Sequence, residues 1–151
     1  MKASLIAFVL ALCPVAALAC DAGEQQVFSC ATANGKQVEV CQAPQSIHYA
    51  YGAPGKPAEL RLSKTNEVFS WEHYEGVSSG VEDDLAFDNG STRYLITHVA
   101  DFDDPSRVDA NIVVMQPGSA NRYIGCASGI MFDASAIKTK PRPQSDGMSS
   151  P

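Results

Sequence analysis

Apolar and polar residues alternate in short bursts along this chain, and residues of turn chemistry separate the bursts. Residues 28–41, FSCATANGKQVEVC, hold two alternating segments around Asn34-Gly35 with a cysteine near each end. In 46–51, Ile47, Tyr49 and Tyr51 fall on one side, and a Gly/Pro loop over 52–57 follows. In 59–63, Leu60 and Leu62 form the inward pair. The run 68–74 places Phe69, Trp71 and His73 on one face, before a Gly/Ser stretch over 75–80 that reads as flexible. Segments 84–87 and 92–99 flank Asn89-Gly90, and 111–115 and 122–126 flank Pro117-Gly118-Ser119. A period of two marks half-buried strands, and Asn-Gly between two of them is a strong hairpin signal. No window carries a helical stripe of useful length. The pattern predicts an all-β domain, a small antiparallel barrel or sandwich of about eight strands.

The chain opens with Met1-Lys2, an apolar run over 5–12 and Ala17-Leu18-Ala19, the three parts of a secretory signal peptide. Pro14 interrupts the run and no second apolar segment follows, so no membrane span is expected. The expected organisation is a signal peptide over 1–19, a single β domain over 20–133 and a disordered tail over 134–151, where apolar residues are sparse. Cleavage before Cys20 by the lipoprotein route is the alternative, with a lipid anchor on that cysteine. Ala17-Leu18-Ala19-Cys20 is a poor lipobox and a good ordinary cleavage site, which favours a periplasmic or secreted protein.

Without the leader the chain keeps Cys20, Cys30, Cys41 and Cys126, an even number that reads as two disulfides in an exported protein. Four cysteines allow three connectivities. A two-residue turn at Asn34-Gly35 would set residue 30 opposite 39 and residue 28 opposite 41, making Cys30 and Cys41 same-face diagonals. Such a pair is about 7–8 Å apart, at the limit for a bridge. One hairpin cysteine is therefore expected to reach Cys126, closing a long loop for about 4 kcal/mol.

The formal charge of the whole chain is −6. That sign argues against nucleic acid or an anionic membrane as partner, since phosphates must be met by Lys and Arg. The acids are concentrated: Glu72, Glu75, Glu82, Asp83, Asp84, Asp88, Asp101, Asp103, Asp104 and Asp109 are opposed over that stretch only by Arg93 and Arg107. The band either keeps the protein soluble or steers a basic protein partner.

Candidate chemistry is thin. Gly76-Val77-Ser78-Ser79-Gly80 matches G-x-S-x-G, but that motif needs a strand-to-helix turn in an α/β sheet. His48, His73 and His98 lie on separate expected strands with none of the short metal-ligand spacings; His73 reads as a packed neighbour of Trp71, and the other two as surface or edge residues. Asp101, Asp103, Asp104 and Asp109 offer hard oxygen ligands of the kind calcium takes, at a spacing unlike an EF-hand loop. No C-x-x-C occurs, no cofactor or metal is called for, and no catalytic residue is assigned.

The run with Cys30, Asn34-Gly35-Lys36 and Val38-Glu39-Val40-Cys41, then Tyr49-Ala50-Tyr51-Gly52, Glu59-Leu60, Leu85-Ala86-Phe87-Asp88-Asn89-Gly90, Arg93-Tyr94 and Cys126, resembles small exported bacterial β-domain proteins of unknown function. In size, export, β content and its early cysteine strand the chain is also similar to the membrane-bound and periplasmic inhibitors of C-type lysozyme. Those are small barrels that insert a loop into the lysozyme cleft. Their S-G-x-x-Y motif is met here by Ser79-Gly80-Val81-Glu82 followed by Asp83 instead of Tyr, so the likeness is one of fold. The resulting expectation is an exported, non-catalytic binding protein, specifically an inhibitor of a basic wall hydrolase such as lysozyme, acting through Ser79, Gly80, Glu82, Asp83, Asp101, Asp103 and Asp104. The alternatives are an envelope lipoprotein anchored at Cys20 and a small hydrolase or metal-binding protein.

Overall fold

The alternating segments become nine antiparallel strands: β1 (Gln25–Thr32), β2 (Gln37–Gln42), β3 (Ser46–Gly52), β4 (Leu60–Thr65), β5 (Trp71–Val77), β6 (Gly80–Asn89), β7 (Thr92–Asp101), β8 (Val108–Met115) and β9 (Arg122–Phe132). The computed structural model describes residues 20–77 and 79–142. The expected signal peptide and the end of the tail lie outside them. The strands form one sheet in the order β4-β3-β2-β1-β9-β8-β7-β6-β5, curled into a half-barrel. Two four-stranded meanders, β1–β4 and β5–β8, are thus joined through β9, leaving β4 and β5 as the edges.

The alternation decides which residues face inward. Cross-strand register lines up Trp71, Leu85, Ile96 and Ile112 across β5 to β8, and all four are buried. From the other meander come Phe28, Val38, Val40, Ile47 and Tyr49. Aromatic rings close the middle, with Tyr49–Phe87 and Phe69–Phe87 centroids both 5.5 Å apart. Strand β1 carries register shifts toward both neighbours, and bulges of this kind bend a sheet.

The first hairpin departs from the expected two-residue turn. Gly35 N–H donates to Thr32 O at 2.9 Å and Thr32 N–H to Lys36 O at 2.8 Å, so the loop has three residues, with left-handed backbone only at Gly35 (φ 78°). This is a turn followed by a glycine bulge. The register moves by one residue: Cys30 faces Val38, while Cys41 faces Gln26. A one-residue slip exchanges the faces of a strand. Cys30 therefore points into the core and Cys41 away from it, which corrects the same-face arrangement. Cys30 bonds Cys126 and Cys41 bonds Cys20, with Cα separations of 5.7 and 5.4 Å.

The expected tail also begins too early. Residues 134–142 are packed: a short 3-10 helix, Ala134–Ala136, is capped by the Asp133 side chain, and Ala136 and Ile137 are buried in the core. Trp71 Nε1 donates to Thr139 O at 2.9 Å, and Arg142 N–H to Trp71 O at 2.8 Å. Arg142 forms a parallel bridge with Glu72, so the segment covers part of the β5 edge. Average composition hides this, because two apolar residues suffice once a tryptophan supplies the donor.

Gln42, 1% exposed, anchors the same segment. Its Nε2 donates to Ala43 O, Ser46 O and Asn66 Oδ1 at 2.8–2.9 Å, and its Oε1 accepts from Lys138 N–H at 3.2 Å. Gln42→Leu removes these bonds, leaving Ser46 O only the Ala43 N–H, and is expected to cost about 1–3 kcal/mol, read by urea unfolding. Faster amide exchange at Lys138 should accompany the loss; unchanged protection there would refute the anchoring role.

Candidate functional site

The fold gathers most of the acidic candidates at one edge of the half-barrel. Pairing of Gly80 with Asp101 sets the β5–β6 turn beside the β7–β8 loop, and Phe102 N–H donates to Ser79 O at 3.0 Å. Within the stretch expected to be flexible, β5 continues to Val77 and β6 begins at Gly80; Ser78 of the G-x-S-x-G match lies outside the described residues. Ser79 is exposed and has left-handed backbone, φ 71°, a conformation sparsely occupied by residues with a Cβ. Gly80 is buried. A Cβ at that position would lie 2.2 Å from Ala100 O, so Gly80 serves the close approach of two strands and offers no side chain to a partner.

The loop is internally braced. Asp101 accepts from Asp103 N–H at 2.8 Å and faces Arg107 at 3.5 Å. Asp104 accepts from Ser106 Oγ and N–H at 2.5 and 3.0 Å, which holds its carboxyl below the usual range. Phe102, between Asp101 and Asp103 in the chain, is 56% exposed. Asp103 is exposed too. On the convex side of β6, Glu82 and Asp84 titrate above ordinary carboxyls, because of burial first and then neighbouring negative charge, offset in part at Asp84 by a bond from Thr97. The Tyr74 hydroxyl donates to Glu72, and that bond raises the phenol to about 12.

Asp83 belongs elsewhere, correcting its expected place on the partner surface. It is 2% exposed and points inward with Leu85 and Phe87. Register puts it directly between His73 on β5 and His98 on β7. His73 Nδ1 lies 2.6 Å from Asp83 Oδ1, and His98 Nδ1 lies 3.4 Å from Oδ2. His98 is 7% exposed and its ring lies 4.7 Å from Phe132, so it is a buried residue, not the surface or edge residue expected. His73 does pack near Trp71, at 6.1 Å, and the bond to Asp83 is the main cause that raises its pKa. His73 Nε2 lies 3.6 Å from Glu75 Oε1.

In this trio Asp83 bridges the two imidazoles. The two imidazoles engage opposite oxygens of one carboxylate, and their ligand atoms do not converge as a common metal would require. Among the described residues, the one trio of metal-ligand type with atoms within 4.8 Å of one another is Cys20, Glu24 and Cys41, whose sulfurs are bonded to each other. An Asp–His pair with a partly exposed imidazole is half of a general-base arrangement; among the described residues no hydroxyl or thiol bonds His73. His48 stands apart on β3, 3.0 Å from Ser46 Oγ and 3.4 Å from Glu24.

The acidic edge was visible in composition, whereas the trio was not. Its one sequence signal is parity, since Asp83 takes the inward position that Leu85 and Phe87 continue. Comparison with family models, curated proteins and solved structures finds no match for the chain.

Proposed function

We propose that this is an exported, non-catalytic binding protein whose acidic edge docks a basic protein, a wall hydrolase such as a lysozyme being the preferred partner. The observation that carries the reading is Phe102: an exposed aromatic residue on the loop that carries Asp101, Asp103 and Asp104, its backbone bonded to the Ser79 turn. Aromatic anchors within a charged rim are the usual energetic centre of a protein interface, and the charge speeds and orients encounter. Two disulfides suit an oxidising compartment. No helix among the described residues is long and apolar enough to cross a membrane.

The test is calorimetric titration of the chain from residue 20 onward against a panel of basic lysozymes at low salt. Binding should weaken as salt rises, and Phe102→Ala should weaken it by at least about tenfold. Absence of binding to every panel member at low salt refutes this version. Engagement of Cys20 with Cys41 supports the soluble form over the anchored lipoprotein, because a thioether-linked lipid would occupy that sulfur; mass spectrometry of the mature N-terminus separates the two. A second reading, a small hydrolase, is favoured by the Asp83–His73 pair. Ester hydrolysis that disappears in His73→Gln would establish it.

A further inference from the structure

Opposite the acidic edge, the half-barrel opens into a cavity of about 510 Å³, within the usual range for small-molecule sites. The two regions are separated by most of β7. From Tyr94 at the mouth to Asp101 at the edge is seven residues, about 23 Å at strand rise.

The mouth is built from inward positions. Tyr49, 1% exposed, forms the floor, and its ring lies 5.9 Å from that of Tyr94. Tyr51 stands beside them on β3, where Leu60 is its register partner on β4. Register continues the Tyr94 row through Val114 to Arg122 on β9, which puts Arg122 at the rim of the cavity. These residues all line the cavity.

The polar groups are mostly donors. Asn34 Nδ2 donates to Tyr51 Oη at 2.9 Å, which leaves the Tyr51 hydroxyl proton to donate elsewhere. Burial, with Tyr51 and Tyr94 nearby, pushes the Tyr49 phenol up, so it remains a protonated donor. Glu59 is the acid in the lining, and Lys36 is paired with it. Among the described residues no carboxylate lies within 4.0 Å of Arg122. A formally acidic protein thus presents a cationic, donor-rich mouth with aromatic walls. Such a site matches an acceptor-bearing anion on a flat ring: a carboxylate suits the planar guanidinium, and tyrosine faces suit the ring.

We propose that the mouth binds a small carboxylate carried on a six-membered ring, with the carboxylate at Arg122 and the ring between Tyr51 and Tyr94 above Tyr49. An aromatic acid presents this anion beside a planar ring and an acidic sugar presents it beside the C–H face of a chair; both stack on tyrosine, and the experiment distinguishes them. The chain is titrated with benzoate and with glucuronate, followed by amide chemical shifts. At least one should produce saturable shifts at Tyr123, Ile124 and Gly125, with benzoate alone indicating an aromatic ring and glucuronate alone a saccharide.

Benzamide and the corresponding glucuronamide serve as uncharged controls, each expected to bind at least about tenfold more weakly than its acid. Arg122→Gln should weaken the effective ligand by a similar factor, and Tyr94→Phe by about threefold, the loss of one hydroxyl bond. Arg122 is exposed, so the variant should keep its unfolding midpoint; Arg122→Lys, retaining the charge without the fork, should recover part of the affinity. The proposal is overturned by any of three results: no saturable shift up to about 20 mM ligand, a far weaker limit than useful sites show; equal binding of acid and amide; or unchanged affinity in Arg122→Gln. Lysozyme binding at the acidic edge is independent of all three.

Discussion

Replacing Cys30 and Cys126 together by alanine is expected to lower stability by about 4–5 kcal/mol, whereas replacing Cys20 and Cys41 together should cost about 3 kcal/mol. The difference follows from chain entropy. The first bond joins residues separated by 96 positions and the second by 21, and a longer closed loop withdraws more freedom from the unfolded ensemble. Location adds to it, because Cys30 is 3% exposed in the core and ties β1 to β9. Cys20 instead clasps a short leading segment to the outside of β2. Denaturant unfolding of the two double variants is the measurement, and a larger loss from the Cys20/Cys41 pair would contradict the argument.

Asp83→Ala should be nearly as costly, about 3 kcal/mol near pH 6, because two imidazoles lose a buried carboxylate acceptor at once. It should also change how stability depends on pH. His73 has a raised pKa in the folded protein, caused chiefly by its bond to Asp83, with Glu75 contributing in the same direction and burial opposing. A group whose folded pKa lies above its unfolded value stabilises fully below the unfolded value, near 6.5, and that contribution is lost as pH rises through the folded one. The wild type should therefore weaken as pH rises above about 6.5 and through the raised folded value. Asp83→Ala should flatten most of that slope, with Glu75 supporting the remainder. Asp88 acts at the other end: Lys64 and Arg93 hold its carboxyl below the usual range, so its contribution is present above the ordinary carboxyl value and fades as pH falls through the lowered one. Stability curves at several pH values separate these effects, and an unchanged slope in Asp83→Ala would remove the trio from the account.

Much of the architecture could be read from alternation, because a half-buried strand writes its parity directly into the chain. Ile47-Tyr49-Tyr51 and Leu60-Leu62 carry that signal clearly. The second half of β9 does not: Ala127-Ser128-Gly129 has small and polar residues at both parities, and it is held by pairing with β1. Register was the harder quantity. Asn34-Gly35 is compatible with a two-residue turn and with a three-residue loop, both of which need left-handed backbone at glycine, yet they place Cys41 on opposite faces. The His73–Asp83–His98 trio depends on register across three strands, so no spacing along the chain announces it. The acidic edge was foreseeable as charge; that Asp83 leaves it for the interior, and that Phe102 is exposed on its loop, depend on how the hairpins fold over one another.

Strand β9 also dictates when this domain can become a single object. Each meander closes through neighbouring turns, but β1 and β8 keep bare inner edges until residues 122–132 slide between them. Contacts that span so much chain form slowly, and unpaired strand edges attract other chains while they wait. The last third of the sequence therefore works as a keystone. A chain halted before β9 is emplaced would consist of two half-built arches with adhesive flanks, and Cys30 would meet no Cys126 to lock them. Oxidation of that pair reports that the arch has been completed, which makes the disulfide a chemical record of assembly as well as a brace.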